Sequence, residues 1–403
     1  MDEFINIENI TPSEKNTENK PKKINNNKIK IIVTAIIAVI IILMIILYST
    51  VTPVRKFFDK YIFRKIVSEE KLASIQLDYD SNVNIIGYNK YICVLAENKL
   101  KQYQASGNLA NEIKLEISNP IYNVNNRYLV IAEKGSSKFY LVADNKIAWE
   151  KEVDGNISKV DVNRNGYVTI ILTGTTYKSV IVTYDSKGNE LFKTYISKSL
   201  ALDATISSDN QSMAFAEIDT SGTQIQTTIK IISIEKAKAN DDYITYTYLA
   251  PSNSLITNIE YQNKNKLVCI YDDSIHVIEN NQDQEIMKLQ EDDKKINQAD
   301  IRLTNYVYRT VEKSTGLFQA DTAIEMMNLE SKKETVYTVE GVVKNIYCYD
   351  NILAVSLGQE VEIFNTSGWL IKKYTSSQDV QGIVLTNGIA GIVYRDKLEF
   401  VNL

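Results

Sequence analysis

Histidine is almost missing from this chain: His276 is the single one in 403 residues. Any site that needs two imidazoles is excluded, including the usual zinc-hydrolase motifs. Cysteine is scarce, with Cys93, Cys269 and Cys348 alone, which excludes a disulfide-stapled scaffold. No charge of one sign dominates. Lys and Arg number 45 against 50 Asp and Glu, net −5, so the basic face of a nucleic-acid binder is lacking and no nucleic-acid partner is expected. Neither a Gly-x-Ser-x-Gly elbow nor a phosphate-binding Gly loop occurs, so nucleophile and nucleotide motifs are absent.

Against this polar average stands one long apolar run. From Ile29 to Tyr48 only Lys30, at the edge, and Thr34 are polar. About 20 apolar residues suffice to cross the ~30 Å hydrocarbon core as a helix. A cleaved signal peptide would have a shorter apolar region and small residues at its end. Here Ser49-Thr50-Val51-Thr52-Pro53 follows, so an uncleaved transmembrane helix over 29–48 is expected. Lys15, Lys20, Lys22, Lys23, Lys28 and Lys30 precede the core of the run, and Arg55, Lys56, Lys60, Arg64 and Lys65 follow it. That small excess, and the ease with which long domains translocate, favour a cytoplasmic N-terminus and an extracytoplasmic remainder at the plasma membrane. Residues 1–28 carry five acidic and five basic side chains and read as a disordered tail, with a docking peptide as the sharper alternative. Residues 49–70 place Val54, Phe57, Phe58, Tyr61, Ile62 and Ile66 on one helix face and cations on much of the rest. This predicts an amphipathic juxtamembrane helix, touching lipid through 53–66 or serving as a stalk.

Beyond residue 70 the hydrophobic period changes to two, and short strands alternate with Asn, Asp and Gly turns, the pattern of an all-β domain. One unit recurs: a turn followed by a small apolar strand. It appears at Asn89-Lys90, Asn125-Asn126, Asn165-Gly166, Asp209-Asn210, Asn263-Lys264-Asn265, Asn305, Asp350-Asn351 and Asn387-Gly388. From Tyr91 to Ala390 the mean period is about 43 residues, the length of a four-stranded propeller blade. A second turn follows two strands later, as at Asp144-Asn145, Asp185–Gly188 and Asn365–Gly368. The eighth unit stops one strand short, while Leu72–Asp78 is spare. An eight-bladed β-propeller over 71–403 is therefore expected, its last blade completed by the N-terminal strand. Seven blades follow instead if the long unit around 200–250 is misread, and a β-sandwich of ~330 residues would be large.

Turns such as Tyr184-Asp185-Ser186-Lys187-Gly188 and Ile363-Phe364-Asn365-Thr366-Ser367-Gly368-Trp369 resemble the last hairpin of quinoprotein-like (PQQ-type) blades. Ile206-Ser207-Ser208-Asp209 resembles the first hairpin of TolB-like propellers. The whole plan is similar to a domain-of-unknown-function family of single-pass, membrane-anchored propellers of Gram-positive bacteria. The resemblance implies a fold; it does not by itself imply an activity.

Quinoprotein enzymes of this fold carry repeated Trp docking motifs, whereas this chain has only Trp149 and Trp369 and no adjacent cysteines; no cofactor is expected. The acidic pairs Asp241-Asp242, Asp272-Asp273 and Asp292-Asp293 fall in predicted turns, where solvated loop charges explain them. His276 lies in a predicted third strand as a packed residue. The cysteines read as buried thiols, with a Cys93–Cys348 bridge left open because their blades are one blade apart. Asp161-Val162-Asn163-Arg164-Asn165-Gly166 matches the first half of an EF-hand loop, but Leu172 occupies the place of the bidentate Glu. Asp161, Asn163 and Asn165 are thus a weak calcium candidate, with turn chemistry as the plainer reading. No catalytic residue is assigned.

The expected function is a non-enzymatic binding or scaffold module of the cell envelope, with a protein, peptide or glycan partner. The alternatives are an envelope enzyme directed at cell wall or glycan, its site built across several blades, and a cytosolic scaffold of reversed topology.

Overall fold

The strands expected from the period-two pattern begin at Lys71 and form eight four-stranded antiparallel sheets. The computed structural model describes residues 26–50, 54, 58, 71–78, 83–250, 254–291, 295–314 and 320–403. Two units result, Met1–Ile62 and Phe63–Leu403. In the first, a helix spans Asn26–Thr50. The side chains of 32–48 are described, and among the described residues no helix is long and apolar enough to cross a membrane. The expectations for the tail at 1–25 and most of 49–70 lie outside the described residues.

The second unit is the propeller. Its blades cover 84–114, 120–152, 156–196, 200–249, 256–288, 295–339, 345–375 and 382–402, each sheet in chain order. The closing strand Lys71–Gln76 pairs with Lys397–Asn402 and completes blade 8, with Ile75 opposite Leu398 and Ala73 opposite Phe400. Eight blades, not seven, are present. The long fourth unit is one blade whose third and outer strands are joined by a short helix, Ile234–Lys238, in place of a tight turn.

Every recurring turn falls between the first and second strands of its blade. Asn89, Asn126, Asn210, Asn305 and Asp350 hold φ between 53° and 61° there, and Gly166 and Gly388 hold 82° and 78°. Asn and Gly tolerate that left-handed geometry best, which explains their recurrence. Second and third strands are buried almost throughout, as in Tyr128–Glu133 and Ser179–Tyr184, because each sheet is covered on both faces by its neighbours. Eight apolar clusters result among the described residues, one at each blade–blade interface. The last joins Ile92 and Val94 of blade 1 to Val384, Leu398 and Phe400 of blade 8, so the ring is closed by packing as well as by pairing.

Candidate functional site

The first strand of each blade lines the axis, and four successive first strands carry an acid there: Asp161, Asp203, Glu260 and Asp300. Asp203 is only 3% exposed. Its Oδ1 accepts from Lys159 Nζ at 2.7 Å and from the Ala204 amide at 2.9 Å, and its Oδ2 accepts from the Ile259 amide at 3.0 Å. One carboxylate of blade 4 therefore ties blade 3 to blade 5. Asp300 Oδ2 accepts from Arg302 Nε at 2.7 Å and Nη2 at 2.5 Å, a charge-assisted pair in which both guanidinium nitrogens share one carboxylate oxygen. Arg302 lies 6.0 Å from the Tyr347 ring of blade 7 and also holds down the phenol of Tyr122 in blade 2, which burial raises. The guanidinium of blade 6 therefore acts electrostatically on side chains of blades 7 and 2. Blade 1 contributes Gly87, where a Cβ would sit 2.1 Å from the Leu385 carbonyl oxygen of blade 8 and 2.9 Å from Tyr347 Oη.

Four acids meet two cations in this core, so ionisation is frustrated. Burial, then the neighbouring Asp203, pushes Asp161 up to about 7. Burial, then Asp161, Asp300 and Asp203, pushes Glu260 up to about 8, against the pull of Arg302. Protons thus supply part of the missing positive charge, which costs less than burying unpaired carboxylates.

The sequence-predicted residues are not brought together as a metal site. Asp161 belongs to a strand and interacts with Thr205, Val162 and Asp203. Asn163 Oδ1 accepts from the amides of Asn165 and Tyr167, and Nδ2 donates to Ser207 O and Asn210 Oδ1. Asn165 Nδ2 donates to Ser208 O. Both asparagines fasten the first turn of blade 3 to that of blade 4, the turn chemistry that the sequence offered as the plainer reading. Among the described residues no three His, Cys, Asp or Glu side chains are grouped to hold a metal.

Asp241-Asp242 and Asp272-Asp273 lie between strands, and 292–293 lies outside the described residues. The three cysteines are buried and free, so the Cys93–Cys348 bridge is not formed. His276 is buried in the third strand of blade 5, directly opposite Cys269, with Nδ1 3.0 Å from Asp283 Oδ1 and Nε2 buried without a partner. The order Asp–His–Cys matches that of a thiol nucleophile site, but burial pushes the Cys269 thiol well up and keeps it protonated.

A second feature lies toward the outer edge of blades 3 and 4. A cleft of about 340 Å³ is lined by Tyr195, Lys198, Ser199, Glu217, Lys230 and Ile244, among others. Glu217 accepts from Lys230 Nζ at 2.6 Å and from the Ser199 hydroxyl at 2.8 Å, so its charge is met locally. Tyr195, 53% exposed, rests against Tyr177 with ring centroids 4.7 Å apart. Leu200, Ile225, Ile244 and Tyr246 are exposed in the same two blades. The cleft was not foreseen, and of the axial acids the sequence singles out only Asp161, as part of a turn-borne calcium candidate. The acids could have been noticed as charges inside otherwise apolar first strands.

The propeller from Chaetomium thermophilum called Sqt1, solved bound to the N-terminus of ribosomal protein L10, is 10% identical, with 83% of this chain and 100% of that chain covered, TM-score 0.50. BamB from Moraxella catarrhalis is 13% identical over 84% of this chain and 98% of that one, TM-score 0.45. An oligogalacturonate lyase in complex with manganese is 8% identical over 83% and 98%, TM-score 0.49. Identities this low concern the fold alone. None of the curated proteins matches this chain. Residues 63–403 match the model of a family of unknown function, DUF5711, and the chain belongs to that family.

Proposed function

We propose that this protein is a non-enzymatic binding module of the cell envelope, a propeller held outside the plasma membrane that receives a protein or peptide at the rim of blades 3 and 4. The observation that carries this is the cleft beside Tyr195, where exposed aromatic and aliphatic side chains lie next to the internally paired charges of Glu217 and Lys230. Such patches are suited to partners whose binding energy comes from buried aromatic anchors. A propeller of the same fold, Sqt1, was solved holding a ribosomal-protein N-terminus; this supports the reading as an example of the fold in peptide capture. The apolar run 29–48 supports membrane attachment: its described side chains, including Ile36, Val39, Leu43 and Ile46, are exposed, and a lipid bilayer would cover them. The cationic stretch 53–66 would add attraction to anionic lipid.

The test is photocrosslinking in living cells, with benzoylphenylalanine at Tyr195 of the full chain and, for comparison, at Leu109, exposed on blade 1. A discrete adduct at 195 alone is expected. Equal adducts at both positions, or none at 195, overturn the reading.

The axial carboxyls favour a second reading, an envelope enzyme acting on cell wall or glycan. Asp161 and Glu260, pushed up to about 7 and about 8, have the proton affinity of a general acid. Turnover of a cell-wall substrate that Glu260→Gln abolishes, with the Tyr195 adduct unchanged, would establish it.

A further inference from the structure

The outer strand of each blade is an open sheet edge, and such edges are ordinarily guarded by charged side chains. Seven of the eight carry at least one, from the single Lys71 of Lys71–Gln76 to the four of Lys146–Glu152. The eighth, Ile244–Leu249 of blade 4, reads Ile-Thr-Tyr-Thr-Tyr-Leu and carries none. Five of its six residues are exposed, Leu249 by 68%. Among the described residues no backbone hydrogen bond engages 244–249 from the outer side.

The free edge has a definite phase. The Ala250 amide donates to the Thr227 carbonyl at 3.0 Å. By the antiparallel alternation, Tyr248 and Tyr246 are then bonded inward, while Thr247 and Leu249 turn N–H and C=O outward. A two-fold axis through Thr247 makes that edge its own complement. Thr247 would exchange hydrogen bonds with Thr247 of the second copy, and Leu249 would meet Thr245. Tyr246 would stand opposite Tyr248 on one face. Thr–Thr and aromatic–aromatic pairs are favourable cross-strand neighbours. No like charges meet within the strand, and Asp241 and Asp242, which precede it, are carried to opposite ends in the two copies. A charged edge would place like charges close together.

From this geometry we infer that two copies of the chain pair through Ile244–Leu249, antiparallel about Thr247. The occupant of the edge is a second copy; the strand meets the cleft only at Ile244, and the pairing is centred three residues away, at Thr247. An interface of one strand is small beside the ~1,200–2,000 Å² of standard complexes, so the dimer is weak in dilute solution.

The full chain in its native membranes is therefore tested by oxidative crosslinking. The native thiols are buried and give little background. In a hydrogen-bonded antiparallel pair the Cα atoms stand ~5.5 Å apart, within disulfide reach. Thr247→Cys should yield a reducible homodimer about tenfold more readily than Tyr246→Cys, whose copies would lie beyond the ~7 Å limit. A tagged copy carrying Thr247→Lys, with its melting temperature unchanged, should no longer retain a second copy after formaldehyde crosslinking in the membrane, whereas the tagged parent should. Equal crosslinking at 246 and 247, no homodimer from Thr247→Cys, or a disulfide adduct of that variant to a different polypeptide would each overturn the proposal.

Discussion

Glu260 sits among Asp161, Asp203 and Asp300 with Arg302 as the opposing charge, and its stability effect has a definite sign. In the unfolded chain it loses its proton near its ordinary 4.5; in the folded ring it holds it to about 8. Between those values the native state binds more protons, so stability falls as pH rises, and the loss is complete above about pH 8. Asp161 acts in the same direction between 3.8 and about 7. Glu260→Gln should therefore flatten the decline of melting temperature between pH 5 and pH 8.5. At the upper end it should stabilise by ~1–3 kcal/mol, given ~1.4 kcal/mol per pKa unit. Calorimetric melts of both proteins across that range check it; a variant less stable than the parent at pH 8.5 contradicts the frustrated axis. These acids were hard to read from the sequence for a physical reason. In a sheet packed on both faces, alternation separates two buried sides and does not say which residue reaches the ring centre. Asp161 consequently looked like the first residue of a loop.

At the scale of the element, turn chemistry carried most of the legible information. Positive φ admits few residue types, so Asn89, Asn126, Asn210, Asn305 and Gly388 announce their hairpins locally, without knowledge of the ring. Blade 4 was ambiguous because its last connection is the helix Ile234–Lys238, which has no tight-turn signature. The closing strand was legible by counting: one unit lacked a strand and one strand lacked a unit. Its phase follows from the Leu77 amide, which donates to the Asp396 carbonyl at 2.8 Å. Ile75, opposite Leu398, must then bond toward blade 8, whereas the Gln76 amide faces outward. Ile75→Pro should cost ~3 kcal/mol or more and expose the amides of Lys397–Asn402 to hydrogen exchange. Gln76→Pro should cost far less, since an outward amide at an edge tolerates proline. Similar protection losses in both variants would contradict the pairing.

For the whole molecule, the decisive question is the side of the membrane. If the run 29–48 spans the membrane with the N-terminus inside, as proposed, external protease should reach the propeller on intact cells while the tail at 1–28 stays protected. A fully protected propeller would indicate the reversed, cytosolic topology. The ring itself is expected to resist cleavage, because its interior contacts run around a closed circuit of eight interfaces. Cuts should concentrate at exposed connections such as 220–225.

The closing strand also sets an order of events in time. Lys71–Gln76 is made first among the strands, and its partner Lys397–Asn402 last. At ~5–20 residues per second of synthesis, the first strand waits roughly 15–65 seconds for its mate. Through that interval its edge is unpaired. Nascent chains stalled before residue 397 should therefore be the species that holding chaperones recognise, and release should coincide with completion of blade 8.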